Sequence, residues 1–130
     1  MPSIKGLVLF LLKQYEVSPD EVILHFVSQK KICALHAEFF DDPTLTDCIS
    51  FPIDQELLGE IFVCPKTAIE YAKAHKVDPY EETTLYVIHG LLHLLGYDDI
   101  KPKDRKIMHK EQNRLLTAVR RAKKLLRKTS

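Results

Sequence analysis

At 130 residues, with 45% hydrophobic residues, 28% charged residues and a net charge of +1, the chain has the make-up of one ordinary globular domain. It is long enough to bury a core without disulfides or a structural metal, and no apolar run approaches the ~20 residues of a membrane span. Cys33, Cys48 and Cys64 are odd in number and lack C-x-x-C spacing, which argues against a disulfide framework or a thiolate-rich metal site and fits a reducing cytoplasm.

In chain order, Ile4, Leu7, Val8, Leu11 and Tyr15 recur at helical spacing. The apolar run they share has a single preceding lysine and no small-residue cleavage site, so it reads as a core-facing helix and not as a secretion signal. Val17–Asp20 is a turn, and Val22–Val27 is a strand by its β-forming composition. Ser28 is the expected N-cap of a helix from Gln29 to about Phe39, with Ile32, Leu35, Ala37 and Phe39 as its apolar side. His25 and His36 are taken as structural residues. Thr46 to Phe51 alternates as a half-buried strand does, and Glu60 to Cys64 forms the next strand. Pro65 suits the first position of a helix to about His75, with Ile69, Tyr71 and Ala72 as its apolar surface and Lys73, His75 and Lys76 at its negative pole. Asp78-Pro79 opens a further helix, with Glu81 and Glu82 in the first turn.

That further helix declares a chemistry. His89 and His93 lie four residues apart, one turn along one face, within a run whose other members (Leu85, Val87, Ile88, Leu91, Leu92, Leu94, Leu95) make it apolar all round. It is the expected central buried helix, and its two imidazoles need partners for their ring nitrogens, which one shared ion provides. Gly96 sits at the C-cap and turns the chain so that Tyr97, Asp98 and Asp99 pass the helix end. Asp98 is read as a cap of that turn and Asp99 as a third ligand. Two imidazoles and one carboxylate suit a catalytic zinc-type site with a fourth position left for water. A metalloprotease reading is poor, because Gly90 stands where H-E-x-x-H enzymes carry their general base.

From Lys101 onward, twelve Lys or Arg face two acids, a net of +10, so residues 1–100 carry −9. Met108, Leu115, Val119, Ala122 and Leu126 give one apolar face to a helix expected at about 102–128. Its basic remainder, with Arg120, Arg121, Lys123 and Lys124 as the named contacts, suits a phosphate backbone. The architecture expected is α+β: one domain over 1–130, a small mixed sheet of three or four strands packed by four or five helices.

The stretch His89 to Asp99, H-G-L-L-H-L-L-G-Y-D-D, resembles the motif H-G-x-L-H-L-x-G-Y-D-H of the YbeY family, metal-dependent endoribonucleases of ribosomal RNA maturation. Thr46–Pro52 and Leu58–Ile61 resemble the family's P-T-D-V-L-S-F-P and L-G-D-I segments, so the likeness covers most of residues 20–110. The resemblance implies a single-strand-specific endoribonuclease acting in 16S rRNA 3′-end maturation and ribosome quality control in the cytoplasm. It further implies one zinc-type ion on His89, His93 and Asp99, ribosomal RNA and the small subunit as partners, and neither a membrane nor a small-molecule cofactor. Two positions depart from the family. Asp99 replaces a histidine, and Phe39-Phe40 replaces a tyrosine–arginine pair whose arginine helps hold RNA phosphate; Lys101 and Lys103 are the nearest substitutes in sequence. These departures define the alternative, a ribosome-binding assembly factor with a weakened or inactive metal site. A strand that usually precedes the first helix in the family is also lacking.

Overall fold

The computed structural model describes residues 4–17, 22–41, 48–52 and 59–122. They form α1 (Ile4–Lys13), β1 (Val22–Phe26), α2 (Gln29–Phe40), β2 (Cys48–Pro52), β3 (Gly59–Val63), α3 (Pro65–His75), α4 (Pro79–Leu94) and α5 (Pro102–Arg121). The turn around Ser18–Asp20, the start of the strand at Thr46-Asp47, Leu58, and Lys123, Lys124 and Leu126 of the basic tail lie outside the described residues.

The sheet has the order β1-β3-β2. β1 runs parallel to β3 and β2 antiparallel to it, so the sheet is mixed as expected and has three strands among the described residues. β3 is central, and its alternation sends Gly59, Ile61 and Val63 to one covered face and Glu60 and Phe62 to the other. Ile61 and Val63 join Leu7, Leu11 and Leu12 of α1, Val87, Leu91 and Leu92 of α4, and Met108, Leu115 and Val119 of α5 in the main core. On the opposite face Ile49 and Cys64 meet Ile32 and Leu35 of α2 in a smaller one. β2 is therefore covered on both faces: Ile49 turns to α2, while Ser50 Oγ donates to the Gly90 carbonyl of α4 at 2.7 Å.

The helix boundaries follow local chemistry. The Ser28 hydroxyl accepts from Lys31 N at 3.1 Å, and Asp41 ends α2 in the left-handed region at φ 53°. The Asp78 carboxylate accepts from Tyr80 N at 2.9 Å and opens α4. α4 is central, with nine of its sixteen residues buried, and each large apolar side chain among them contributes about 1.5–3 kcal/mol.

Three expectations change. α3 packs through Ala68 and Ala72, while Ile69 and Tyr71 are exposed, because two alanines let the helix backbone approach α4 more closely than a branched or aromatic side chain allows. Ala122 is exposed, and the buried stripe of α5 is Met108, Leu115, Leu116 and Val119. Phe39 lies outside the α2 core at 57% exposure, its ring edge against Phe51 at the open rim of the sheet. His25 and His36 behave as structural residues. His25 stacks on Phe62 and shares a 3.2 Å contact with Glu60, and His36 lies against Phe40.

Candidate metal centre

α4 ends in a Schellman motif. Leu95 is the C-cap, Gly96 adopts φ +101°, Gly96 N donates to His93 O at 3.1 Å and Tyr97 N to Leu92 O at 3.0 Å. This reversal carries the chain back over the histidine face. Asp98 Oδ1 accepts from Ile100 N at 3.1 Å and so closes the next turn, the capping role expected of it. Arg105 then fastens the loop from α5, its Nε donating to the Asp99 carbonyl at 3.0 Å and its Nη2 to that of Ile100 at 3.3 Å.

The result is a convergence of three donors. His89 Nε2 and His93 Nε2 lie 3.1 Å apart, and Asp99 Oδ2 lies 3.5 Å from the first and 3.6 Å from the second. A tetrahedral ion with bonds of ~2.0–2.2 Å to nitrogen and oxygen separates its ligands by ~3.3–3.5 Å. The triangle thus has the dimensions of one face of such a tetrahedron, and the residues present fit a zinc-type ion. The three side chains are 24%, 30% and 37% exposed, so the group lies at a rim open to solvent. The histidines had been expected buried inside the helix packing; they are half-buried because α4 turns that face away from the sheet.

Each ring is held from behind. His89 Nδ1 faces Gln112 Oε1 and His93 Nδ1 faces the Tyr97 carbonyl, both at 3.1 Å. The Tyr97 carbonyl can only accept, so His93 donates from Nδ1 and turns Nε2 to the triangle, while the Gln112 amide can accept or donate and serves either form of the His89 ring. Behind Tyr97 lies a polar cluster. The hydroxyls of Tyr15 and Tyr97 donate to Glu111 Oε2 at 2.9 and 3.1 Å, while Arg114 donates to Glu111 Oε1. The Arg114 hydrogen bond holds the Glu111 carboxyl below its usual range, and burial, followed by the hydrogen bond and charge of Glu111, pushes both phenols up.

Sequence reasoning singled out His89, His93 and Asp99, which the structure brings together, and passed over Gln112, Glu111 and Arg105. Gln112 had a signal: it lies four residues beyond Met108 on the apolar stripe of α5, a polar exception of the kind that marked the histidines. Of the basic residues, Arg120 pairs with Glu81 at the first turn of α4, and Arg121 is exposed beside Lys110, Asn113 and Thr117. Gly90 does not face the triangle. A Cβ built there falls 2.5 Å from Ile61 Cγ2, so the position is packed against β3 and no side chain at it reaches the donors.

The fold and the site together define a protein with a three-donor metal-site geometry carried on one helix and the loop that follows it. A family model described as Endoribonuclease YbeY matches residues 3–120. A protein of Protochlamydia amoebophila named Endoribonuclease YbeY is 47% identical over 127 residues, covering 93% of this chain and 85% of that protein. One of the same name from Chlamydia caviae is 43% identical over 95% of this chain and 85% of its own length. A solution structure from Thermotoga maritima superposes with a TM-score of 0.68 at 31% identity, covering 89% of this chain and 80% of that one. The chain belongs to the YbeY endoribonuclease family.

Proposed function

We propose that the protein is a metal-dependent, single-strand-specific endoribonuclease of the cytoplasm that acts in 16S rRNA 3′-end maturation and ribosome quality control, with ribosomal RNA and the small subunit as partners. The observation that carries this reading is the His89–His93–Asp99 triangle with both Nδ1 atoms already engaged. When bound there, a zinc-type ion supplies Lewis acidity, polarising a phosphoryl oxygen and lowering the pKa of a water toward ~7. His89 and His93 would hold the ion through Nε2, and Asp99 through a carboxylate oxygen whose charge offsets part of the ion's. No helix among the described residues is long and apolar enough to cross a membrane.

A second reading has a specific observation in its favour. Phosphodiester cleavage builds negative charge in the transition state and calls for a nearby cation. Phe40 supplies none and lies against Phe51, and Arg105 is engaged with loop carbonyls. A ribosome-binding assembly factor with a weakened site is consistent with the loss of a cation at Phe40. The deciding measurement is metal content of untagged protein together with cleavage of a single-stranded ribosomal RNA fragment, comparing wild type with Asp99→His and His93→Ala. Near-stoichiometric metal and a cleavage lost in His93→Ala support the nuclease. Metal retained by the Asp99→His variant alone assigns the native chain to the assembly role.

A further inference from the structure

The outer side of α5 carries charge that the donor triangle does not use. Taken at about 100° per residue, Lys103, Lys106, Lys110, Arg114 and Arg121 fall within about 40° of one line along the helix, and at ~1.5 Å per residue that line is ~27 Å long. The two acids of the helix, Asp104 and Glu111, lie about 100–120° round from it, toward the buried stripe. All five cations are exposed, and among the described residues Arg114 alone of them is in an ion pair, through Nε to Glu111. Asn113 and Thr117 complete the face and help to line a shallow groove between Lys110 and Arg121. Such a row weakens the helix that bears it, since Lys106–Lys110 and Lys110–Arg114 place like charges at i,i+4, where opposite charges stabilise. Gln112, which meets His89, lies on the opposite side, so the width of α5, ~10 Å, separates the row from the triangle.

We propose that this row is a docking rail for the phosphate backbone of single-stranded RNA, distinct from the metal centre. The rail rests on RNA as the partner class in the function proposed above, and not on cleavage. Charge favours a polyanion here and nowhere else as strongly, because residues 1–100 carry −9 against the +10 that follows. A bilayer does not suit the face. The apolar side of α5 is buried as Met108, Leu115, Leu116 and Val119, and Ile107 is the one large apolar side chain of the helix left exposed. A duplex backbone winds away from a straight row, whereas a single strand is free to follow it, with the Asn113 amide as an added donor to phosphate. α5 has no Phe, Tyr or Trp on which bases stack, so the contact is to phosphate and independent of sequence. Arg120, on the flank and paired with Glu81, is not part of the rail.

The test measures binding of a fluorescent oligouridylate to the full-length protein over a series of KCl concentrations, in EDTA so that no metal-dependent cleavage intervenes. The triple variant Lys106→Ala/Lys110→Ala/Arg121→Ala is compared with Lys30→Ala/Lys66→Ala/Lys73→Ala, which removes the same charge from exposed positions of α2 and α3. The rail triple is expected to lower the log–log salt slope by about 2, at ~0.7 per phosphate contact, and the control triple by less than about 0.7. Lys106→Arg/Lys110→Arg/Arg121→Lys, which keeps the charges, and His93→Ala, which lies across the helix, are expected to keep the wild-type slope. Equal slopes in wild type and the rail triple, or equal losses in the two triples, overturn the proposal. So does a rail triple that binds the single strand as wild type does and has lost instead its binding to an RNA duplex of the same length, to phosphatidylserine vesicles or to a second copy of the chain. Cleavage of the same RNA with Zn²⁺ supplied separates the two readings. A wild type that binds through the row and does not cut keeps the rail and removes the nuclease; a wild type that cuts, with the slope unchanged in the rail triple, keeps the nuclease and removes the rail.

Discussion

Two glycines flank the chemistry for different physical reasons, and substitution separates them. At Gly90 the constraint is space. A Cβ meets Ile61 Cγ2 at 2.5 Å and Ser50 Oγ at 3.3 Å, so α4 rides directly on β3. Gly90→Ala is expected to cost about 1–3 kcal/mol by overpacking, read as a lowered urea midpoint. Adding Ile61→Ala should make the pair less destabilised than the sum of the single changes. At Gly96 nothing lies within 4 Å of a built Cβ, and the constraint is the backbone at φ +101°. Gly96→Ala is expected to cost about 1–2 kcal/mol whatever its neighbours, with no coupling to Ile61. It should also weaken Zn²⁺ binding, since the same turn sets the Tyr97 carbonyl behind His93. Equal coupling of both glycines to Ile61 would sink this distinction. The donors themselves were legible in sequence because the four-residue spacing and the glycine turn are local. Gln112 is readable as a polar exception on the stripe of α5, but its meeting with His89, twenty-three residues away, is not, since only the docking of α5 brings it there.

At the scale of the element, α5 presents one face to the core and leaves another to solvent. Arg120 belongs to the first task through Glu81, a partly exposed pair worth about 1 kcal/mol or less, while Arg121 stands free of the core on the outer face. Arg121→Ala is therefore expected to leave the urea midpoint unchanged and to reduce the salt dependence of single-stranded RNA binding by about 0.7 in log–log slope. Arg120→Ala should lower the midpoint as well. An unchanged slope in Arg121→Ala would remove this residue from the RNA surface. Element boundaries were readable because caps are local: Ser28, Pro65 and Asp78 act through their side chains and Gly96 through its freedom to adopt positive φ. The buried face of α3 was not, because a reading based on large apolar residues chose Ile69 and Tyr71, whereas the close approach to α4 selected Ala68 and Ala72.

For the molecule as a whole, the Tyr15–Glu111–Arg114 cluster joins the turn after α1 to α5 and makes stability depend on pH. Arg114 first, then the two phenols, hold Glu111 below the usual 4.5, so the folded state favours its charged form. That contribution is present above the ordinary carboxylate range and is lost as pH falls through the lowered native value. Tyr15 is raised above 10, by burial first and Glu111 second, so its contribution is complete below pH 10 and is lost above it. Glu111→Gln should flatten the acid limb, with the difference in urea midpoint from wild type larger at pH 7 than at pH 3. A constant difference across that range would show that the charge of Glu111 contributes nothing to the linkage.

The contact between α5 and the donor triangle also bears on the order in which the protein is completed. His89, His93 and Asp99 are joined to the chain before Glu111 and Gln112, and Gln112 meets His89 only once α5 has docked on α4. The surroundings of the triangle are therefore a property of the finished chain.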